Sequence, residues 1–408
     1  LVLLLVMGTV FAAGAKDSAK DGSVVLRMEQ FSGSEASPSG EALKQMIALF
    51  ERANPNIKVE LQTIGYDDYF TQLQSKVVGG NAADVFELNY ENFVAYASEG
   101  ALQDITQRIG DTSGFNTTAL GAFNYEGKQL GVPNSFSNVV LFYNKDLFDK
   151  AKVAYPTDDW TWKDVEVASK KIMTLGPDVW GFLRPYSFHE FYTGVAQNNG
   201  SMTNAEGTRF TINSPQNIEA AALMAGWQND VKIMPTQADM AGMGEWDIFK
   251  SGRLGMLVTG IWAFGDFTEN CPFAWDIAIE PGNVKKATHF FSNAYVVSET
   301  SKHPEEAAKL AAFLAGSREA TKLRVEASWE LPPVTYEEIL AQYLSITPPD
   351  NRKAVFDSLD YLVTPVVSAQ QAEMMAIIEK YLGQILSGTS AKAALDACQA
   401  ELESKITL

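Results

Sequence analysis

Aromatic rings, side-chain amides and acids gather in this chain where apolar runs end. Phe31 and Ser32 follow the run Val24 to Met28, and Tyr66 with Asp67 follows Gly65. Asn89, Tyr90 and Glu91 come straight after Val85 to Leu88, while Phe136, Ser137 and Asn138 precede Val139. Further on stand Arg184, Pro185 and Tyr186 with His189 and Glu190, then Trp246, Trp262 after Gly260, Asn293, and Trp329 with Glu330 before a double proline. Rings offer flat apolar faces, and amides and hydroxyls both donate and accept hydrogen bonds. Together they suit a molecule with hydroxyl edges and apolar C–H faces, held in a mostly preformed cleft.

Each of these residues also has a plainer role. Trp262 could start a helix inside the core, Asn89 and Asp67 could cap helices, and His189 could be a hydrogen-bonded structural residue. Stripes such as Leu310, Phe313 and Leu314 read as core, and so does the pair Met374 and Met375. Catalytic patterns are missing: the chain has no G-x-S-x-G, no H-E-x-x-H and no P-loop. Gly242-Met243-Gly244 lacks both a third glycine and a preceding strand. Fifty acidic residues leave a glycosidase carboxylate pair open, because that geometry is spatial. Two distant cysteines, Cys271 and Cys398, and three scattered histidines give no metal-ligand spacing, so neither metal nor cofactor is expected.

The elements that must position these residues follow a repeated order. Val24 to Met28 reads as a strand, and Leu43, Met46, Ile47 and Phe50 recur at helical spacing up to Asn54-Pro55. Ile57, Val59 and Leu61 alternate as a strand. Phe70, Leu73 and Val77 mark a helix closed by Gly79-Gly80. Val85 to Leu88 and the helix carrying Phe93 and Tyr96 complete a β-α-β-α-β-α run, the pattern of an open sheet covered on both faces. Residues 134 to 138 read as a polar turn leading into the strand Val139 to Tyr143. The logic then repeats: a capping box at Thr161 and Asp164, a helix over 217 to 229, strands from Leu254 and over 276 to 279, and a mostly helical remainder after Arg318.

At 408 residues the chain exceeds one ordinary core, and two domains are expected. With 46% hydrophobic and 20% charged residues it describes a folded globular protein. A net charge of -18 excludes a phosphate-backbone partner, which needs a basic surface, so no nucleic acid is expected. The same charge disfavours self-association, and a monomer is expected. The apolar stretch Leu1 to Phe11 followed by Ala13-Gly14-Ala15 predicts an export signal over 1–15. No cysteine stands near the cleavage site, so a free protein is expected and not a lipoprotein. Export would permit a Cys271–Cys398 disulfide, with two lone buried thiols as the other reading.

Several stretches together resemble the extracellular solute-binding proteins of ABC importers, in the sugar-binding group. They are Gly131 to Phe148; Phe50-Glu51-Arg52-Ala53-Asn54-Pro55; Ala83-Asp84-Val85 with Gly100 and Leu102; Tyr155-Pro156 with Trp160-Thr161-Trp162; Phe249 to Met256 followed by Gly260-Ile261-Trp262; and Ser301 to Leu314. In this order they cover nearly all of the chain after its leader. Two departures stand out: Ala83 where a proline is frequent, and Ser292-Asn293 where two glycines are frequent.

The resemblance implies an α/β, two-lobed periplasmic-binding-protein fold of type II, hinged by crossing segments. Lobe 1 would comprise 24–130 and 277–314, and lobe 2 would comprise 131–276 and 315–408. It implies a carbohydrate held between the lobes, a stacking role for Trp262, a floor at Phe136 and Asn138, and delivery to the transmembrane subunits of an ABC permease from a periplasmic or other extracytoplasmic position. Two alternatives stay open: a non-sugar solute such as a polyamine, a peptide or ferric ion on the same fold, or a secreted carbohydrate-active hydrolase. No adjacent tyrosine pair favours ferric ion, whereas Asp67, Glu91, Glu190 and Glu330 would suit a polyamine.

Overall fold

The computed structural model of the protein describes residues 23–31 and 37–408. The expected signal over 1–15 and the site residue Ser32 lie outside the described residues.

Two main sheets organise the described chain. The first has five strands in the order Ile57–Thr63, Val24–Gln30, Val85–Asn89, Phe291–Val297 and Gly131–Ser137. The first three are parallel, and Phe291–Val297 runs antiparallel to both of its neighbours. The second sheet has four strands, Trp275–Ile279, Val139–Asn144, Leu254–Gly260 and Trp180–Leu183.

Alternation along the strands sends successive side chains to opposite faces, so each sheet is packed on both sides. Met28, Val85 and Tyr295 face the helices Pro38–Ala53 and Pro304–Gly316 through Leu43, Phe50, Leu310 and Leu314. Phe86 and Leu88 face the opposite way, onto Tyr69, Leu73 and Phe93. In the second sheet Val140 and Phe142 meet Phe249, Leu257 and Phe267, whereas Val139 and Leu141 meet Trp162, Phe182 and Trp227. A separate helical cluster joins Phe188 and Phe191 to Ile378, Leu382 and Leu395.

Local signals fix the helix ends. Ser37 accepts from the Gly40 amide to start Pro38–Ala53, which carries its proline in the first turn. Thr161 and Asp164 form the expected capping box of Trp162–Ile172. Gly80 closes Tyr66–Val78 with φ +66°, where a side chain would be strained.

Strand pairing changes two expectations. Residues 134 to 137 belong to the strand Gly131–Ser137 and form no turn. Their polar groups are satisfied inside the sheet: Asn134 Nδ2 donates to Glu87 Oε1 at 2.9 Å, and Asn293 Nδ2 donates to Ser135 Oγ at 3.0 Å. Polarity there marks a buried network. The same pairing moves the boundaries drawn at 131 and 277. Gly131–Ser137 lies in the first sheet beside Phe291–Val297, and Trp275–Ile279 lies in the second beside Val139–Asn144. Passage from one sheet to the other falls at Asn138, whose carbonyl accepts from the Ile261 amide at 3.2 Å. Beyond 315 the helix Arg318–Glu326 places Ala320 in the first body's core and Val325 in the second's.

Cys271 and Cys398 are free thiols in different clusters. No helix among the described residues is long and apolar enough to cross a membrane.

Candidate functional site

Between the two sheets lies a cavity of about 1050 Å³. Its walls come from loops at the ends of strands in both sheets, where open α/β folds hold ligands.

The first wall is built on the five-stranded sheet. Phe31 leaves the strand Val24–Gln30 with its amide tied to Glu87 Oε2 at 3.2 Å. Its ring meets Tyr66 edge-on at 5.4 Å and Tyr69 at 5.1 Å. Tyr66 opens its helix and stays 47% exposed, so one ring of this wall is free to meet a guest. Asn89 does two jobs. Its Oδ1 accepts from the Asn92 amide and caps Tyr90–Ser98, while its Nδ2 donates to Glu91 Oε2 at 2.9 Å. Asn293 pairs with Asn89 in register and places a second amide beside it.

The second wall rises from the four-stranded sheet. Leu254–Gly260 ends in a single 3-10 turn that presents Trp262, whose ring meets Phe291 edge-on at 5.5 Å. The indole lies against Gly260: a Cβ there would stand 1.9 Å from it. Only a glycine allows that approach. Trp246 fixes its ring by donating from Nε1 to Thr259 Oγ1 at 3.2 Å. Burial and the nearby Glu190 push the Glu245 carboxyl up to about 7. Lys250 Nζ is 3.0 Å from Asp266 Oδ2.

His189 joins the walls, with Nε2 3.1 Å from Glu91 Oε1. Burial works against its charged form, but Glu91 foremost, then Glu190 and Glu379, outweigh that and raise its pKa to about 9. Trp329 also lines the cavity and is nearly buried beneath the Arg324 guanidinium, 3.8 Å from its ring centroid. Burial raises the Glu330 carboxyl beside it, in spite of Arg324.

Phe31, Tyr66, Asn89, His189, Trp262, Asn293 and Trp329 thus line one cavity. Four other expected site residues do not. Arg184 is 1% exposed and lies beneath the second wall, with Nη2 3.0 Å from Glu280 Oε1 and Nη1 donating to Gln197 Oε1. Asn138 is fully buried and donates from Nδ2 to the Val355 carbonyl at 2.9 Å. Tyr90 turns its ring against Phe290 at 5.6 Å, and Phe136 packs on the same ring at 5.7 Å. A charged loop residue and a buried ion-pair partner look alike in sequence, and so do a floor residue and a crossover anchor.

Sequence reasoning did not single out Phe291, Glu245 or Thr259 as lining, nor the helix start at Ser37 to Ser39. Phe291 carried no local signal, since its place depends on Trp262 and His289 arriving from other segments. Glu245 lies in a first helical turn, where an acid has an ordinary reason to be. Among the described residues no group of three or more His, Cys, Asp or Glu is placed to hold a metal ion.

A family model described as bacterial extracellular solute-binding protein matches residues 34–321. An ABC substrate-binding protein from Listeria monocytogenes, solved in complex with cycloalternan, is 45% identical, covering 94% of this chain and 98% of that one with a TM-score of 0.89. The arabinooligosaccharide-binding protein of Bacillus subtilis is 26% identical over 338 residues, 79% of this chain and 76% of that protein. Maltose-bound MalE3 of T. maritima is 19% identical with a TM-score of 0.81 over 94% of this chain, a likeness of fold.

Proposed function

Since the chain belongs to the bacterial extracellular solute-binding protein family, we propose that it captures a carbohydrate outside the cytoplasm and hands it to the membrane permease of an ABC importer. The observation that carries this reading is the cavity itself. Trp262 on one wall and Phe31 with Tyr66 on the other give apolar faces, and Asn89 and Asn293 add amides to the first wall. With about 1050 Å³, the cavity stands at the top of the usual range for small-molecule sites, about 300–1,000 Å³. That size favours an oligosaccharide over a single sugar ring. The relative solved in complex with cycloalternan and the relative named for arabinooligosaccharides support the same class.

In this reading the residues in contact with the sugar are Phe31, Tyr66, Asn89, His189, Trp262, Asn293 and Trp329. The protein acts as an exported monomer, binds without turnover and requires no cofactor. The lobes, joined by several crossings of the chain, close on the sugar because it touches both and so favours the closed state.

Calorimetry with cycloalternan, maltose and mannotriose, and recovery of the sugar afterwards, tests the proposal. The expected result is saturable binding of at least one with the sugar returned intact. Cleaved sugar would mark a hydrolase, and no heat from any saccharide would sink the reading. Spermidine belongs in the same panel, because Asp67, Glu91, Glu190, Glu245 and Glu330 all line the cavity and would suit a polyamine.

A further inference from the structure

Glu91 is the most deeply buried acid of the cavity wall, at 2% exposure, and it stands on the helix that follows the first sheet's strand Val85–Asn89. One oxygen, Oε2, is held by Asn89 of its own lobe. The other, Oε1, has no hydrogen-bond donor among the described residues and lies 3.1 Å from His189 Nε2, which is itself without an acceptor. His189 stands on Phe188–Gln197, in the helical cluster beside the second sheet. The contact therefore spans the cavity, from a helix of one body to a helix of the other.

A buried carboxylate with a vacant oxygen is costly unless a cation meets it. The groups around His189 favour a cation there. Glu190 is its neighbour on the same helix, and Glu379 approaches from Gln371–Leu386, where its Oε1 accepts from the Phe188 amide at 2.6 Å. Tyr192 lies on the same helix with its ring 6.5 Å away. His289 lies beyond, held neutral by burial and by the positive charges of His189 and Arg184, with Glu280 paired to Arg184 behind it. Three carboxylates thus face one imidazole.

We infer that Glu91 and His189 form a proton-dependent clasp between the lobes, so that closing the cavity around its saccharide takes up one proton from solvent onto the imidazole. The inference rests on the carbohydrate reading above. When the lobes part, Glu91 leaves with the first body, both groups are hydrated, and the imidazole returns toward its ordinary pKa of 6.5. With the Glu91 contact made, as in this structure, it titrates at about 9. The sign follows: closure holds a proton that the open form lacks between those two values, so affinity falls as pH rises through the window and is level on either side. Glu91 is a positioning residue, acting on the guest by holding the walls together, whereas His189 both meets the guest and holds Glu91.

Calorimetry of cycloalternan binding near pH 8, in phosphate and in Tris, reads the proton count because the two buffers release protons with different heats. The expected result is uptake close to one proton near pH 8, a small fraction near pH 5.5, and affinity falling by up to about tenfold per pH unit between. His189→Gln and Glu91→Gln should each remove the buffer dependence and flatten the profile, and the double variant should bind no worse than either one. Equal heats in the two buffers for the unaltered protein would overturn the clasp while leaving the carbohydrate reading intact. If cycloalternan gives no heat, the panel saccharide with the strongest binding takes its place. If no saccharide binds, the carbohydrate reading falls and the clasp is decided without one, by small-angle scattering near pH 7. A larger radius of gyration in both variants supports it, and curves identical to the unaltered protein overturn it.

Discussion

Behind each wall of the cavity a carboxylate is fully buried, and the two are satisfied by different chemistry. Glu87, in the first sheet, takes an amide from Asn134 at 2.9 Å and the Phe31 backbone amide at 3.2 Å. Glu280, just past the second sheet's edge strand, faces the Arg184 guanidinium at 3.0 Å and takes the Gln197 amide at 3.0 Å. The Asn134 and Phe31 amides tie Glu87 into a network that also fixes the strand carrying Asn134 and the segment carrying Phe31. The second lobe instead buries a charge pair whose members are each tolerable only in the other's presence. The first wall is therefore graded in its response to damage, and the second is all-or-none.

Arg184→Met should produce the largest effect, because it leaves Glu280 buried without its cation. A loss of about 3–5 kcal/mol in unfolding free energy is expected from urea denaturation. The parallel change Asn134→Leu should lose only about 1–3 kcal/mol, the usual result of leaving one buried acceptor short of a donor. Equal losses in the two variants would erase the contrast between the lobes.

Binding should separate the walls next. Gly260→Ala leaves every ring in place yet drives a methyl group into the Trp262 indole. It should weaken saccharide binding by about 1–3 kcal/mol, as much as Trp262→Ala, which removes the ring itself. Tyr66→Ala, on the first wall, should cost less, since Tyr66 is already half in solvent and rests on Phe31. Calorimetry on the three variants checks the order, and full affinity in Gly260→Ala would remove Trp262 from the site.

The smallest effect concerns charge on the second wall. Glu245 has a folded-state pKa of about 7, above its ordinary 4.5, so its ionised form destabilises the fold. That penalty is absent below 4.5, grows between 4.5 and 7, and is complete above 7. Glu245→Gln should accordingly raise the melting temperature by a few degrees near pH 8 and leave it unchanged near pH 4. A rise of the same size at both values would assign the effect to packing.

Much of this was legible before any coordinates. The alternating strands, the capping box at Thr161, the glycine stop at Gly80 and the placement of Asn89 and Trp262 at strand ends are all local, and they stand as expected. The polar run from Asn134 reads as a turn in sequence, but its amide and hydroxyls pair with distant residues: Asn134 with Glu87, Ser135 with Asn293 and Ser137 with Glu330. Arg184 and Asn138 were misplaced for a related reason. A residue's partner decides whether it faces a cavity or props one up, and their partners, Glu280 and Val355, lie far along the chain.

By itself, then, the order of residues set the helices, strands and stops, because capping, glycine backbone freedom and the alternation of apolar side chains act within a few positions. It also set the supply of rings and amides at strand ends. The fold alone decided which of those residues share a space and which carry charge. Glu91 meets His189 only because two sheets face each other, and the pKa of that histidine follows from three carboxylates brought in by separate helices. Burial and electrostatic coupling are sums over neighbours in space, and no stretch of sequence contains them.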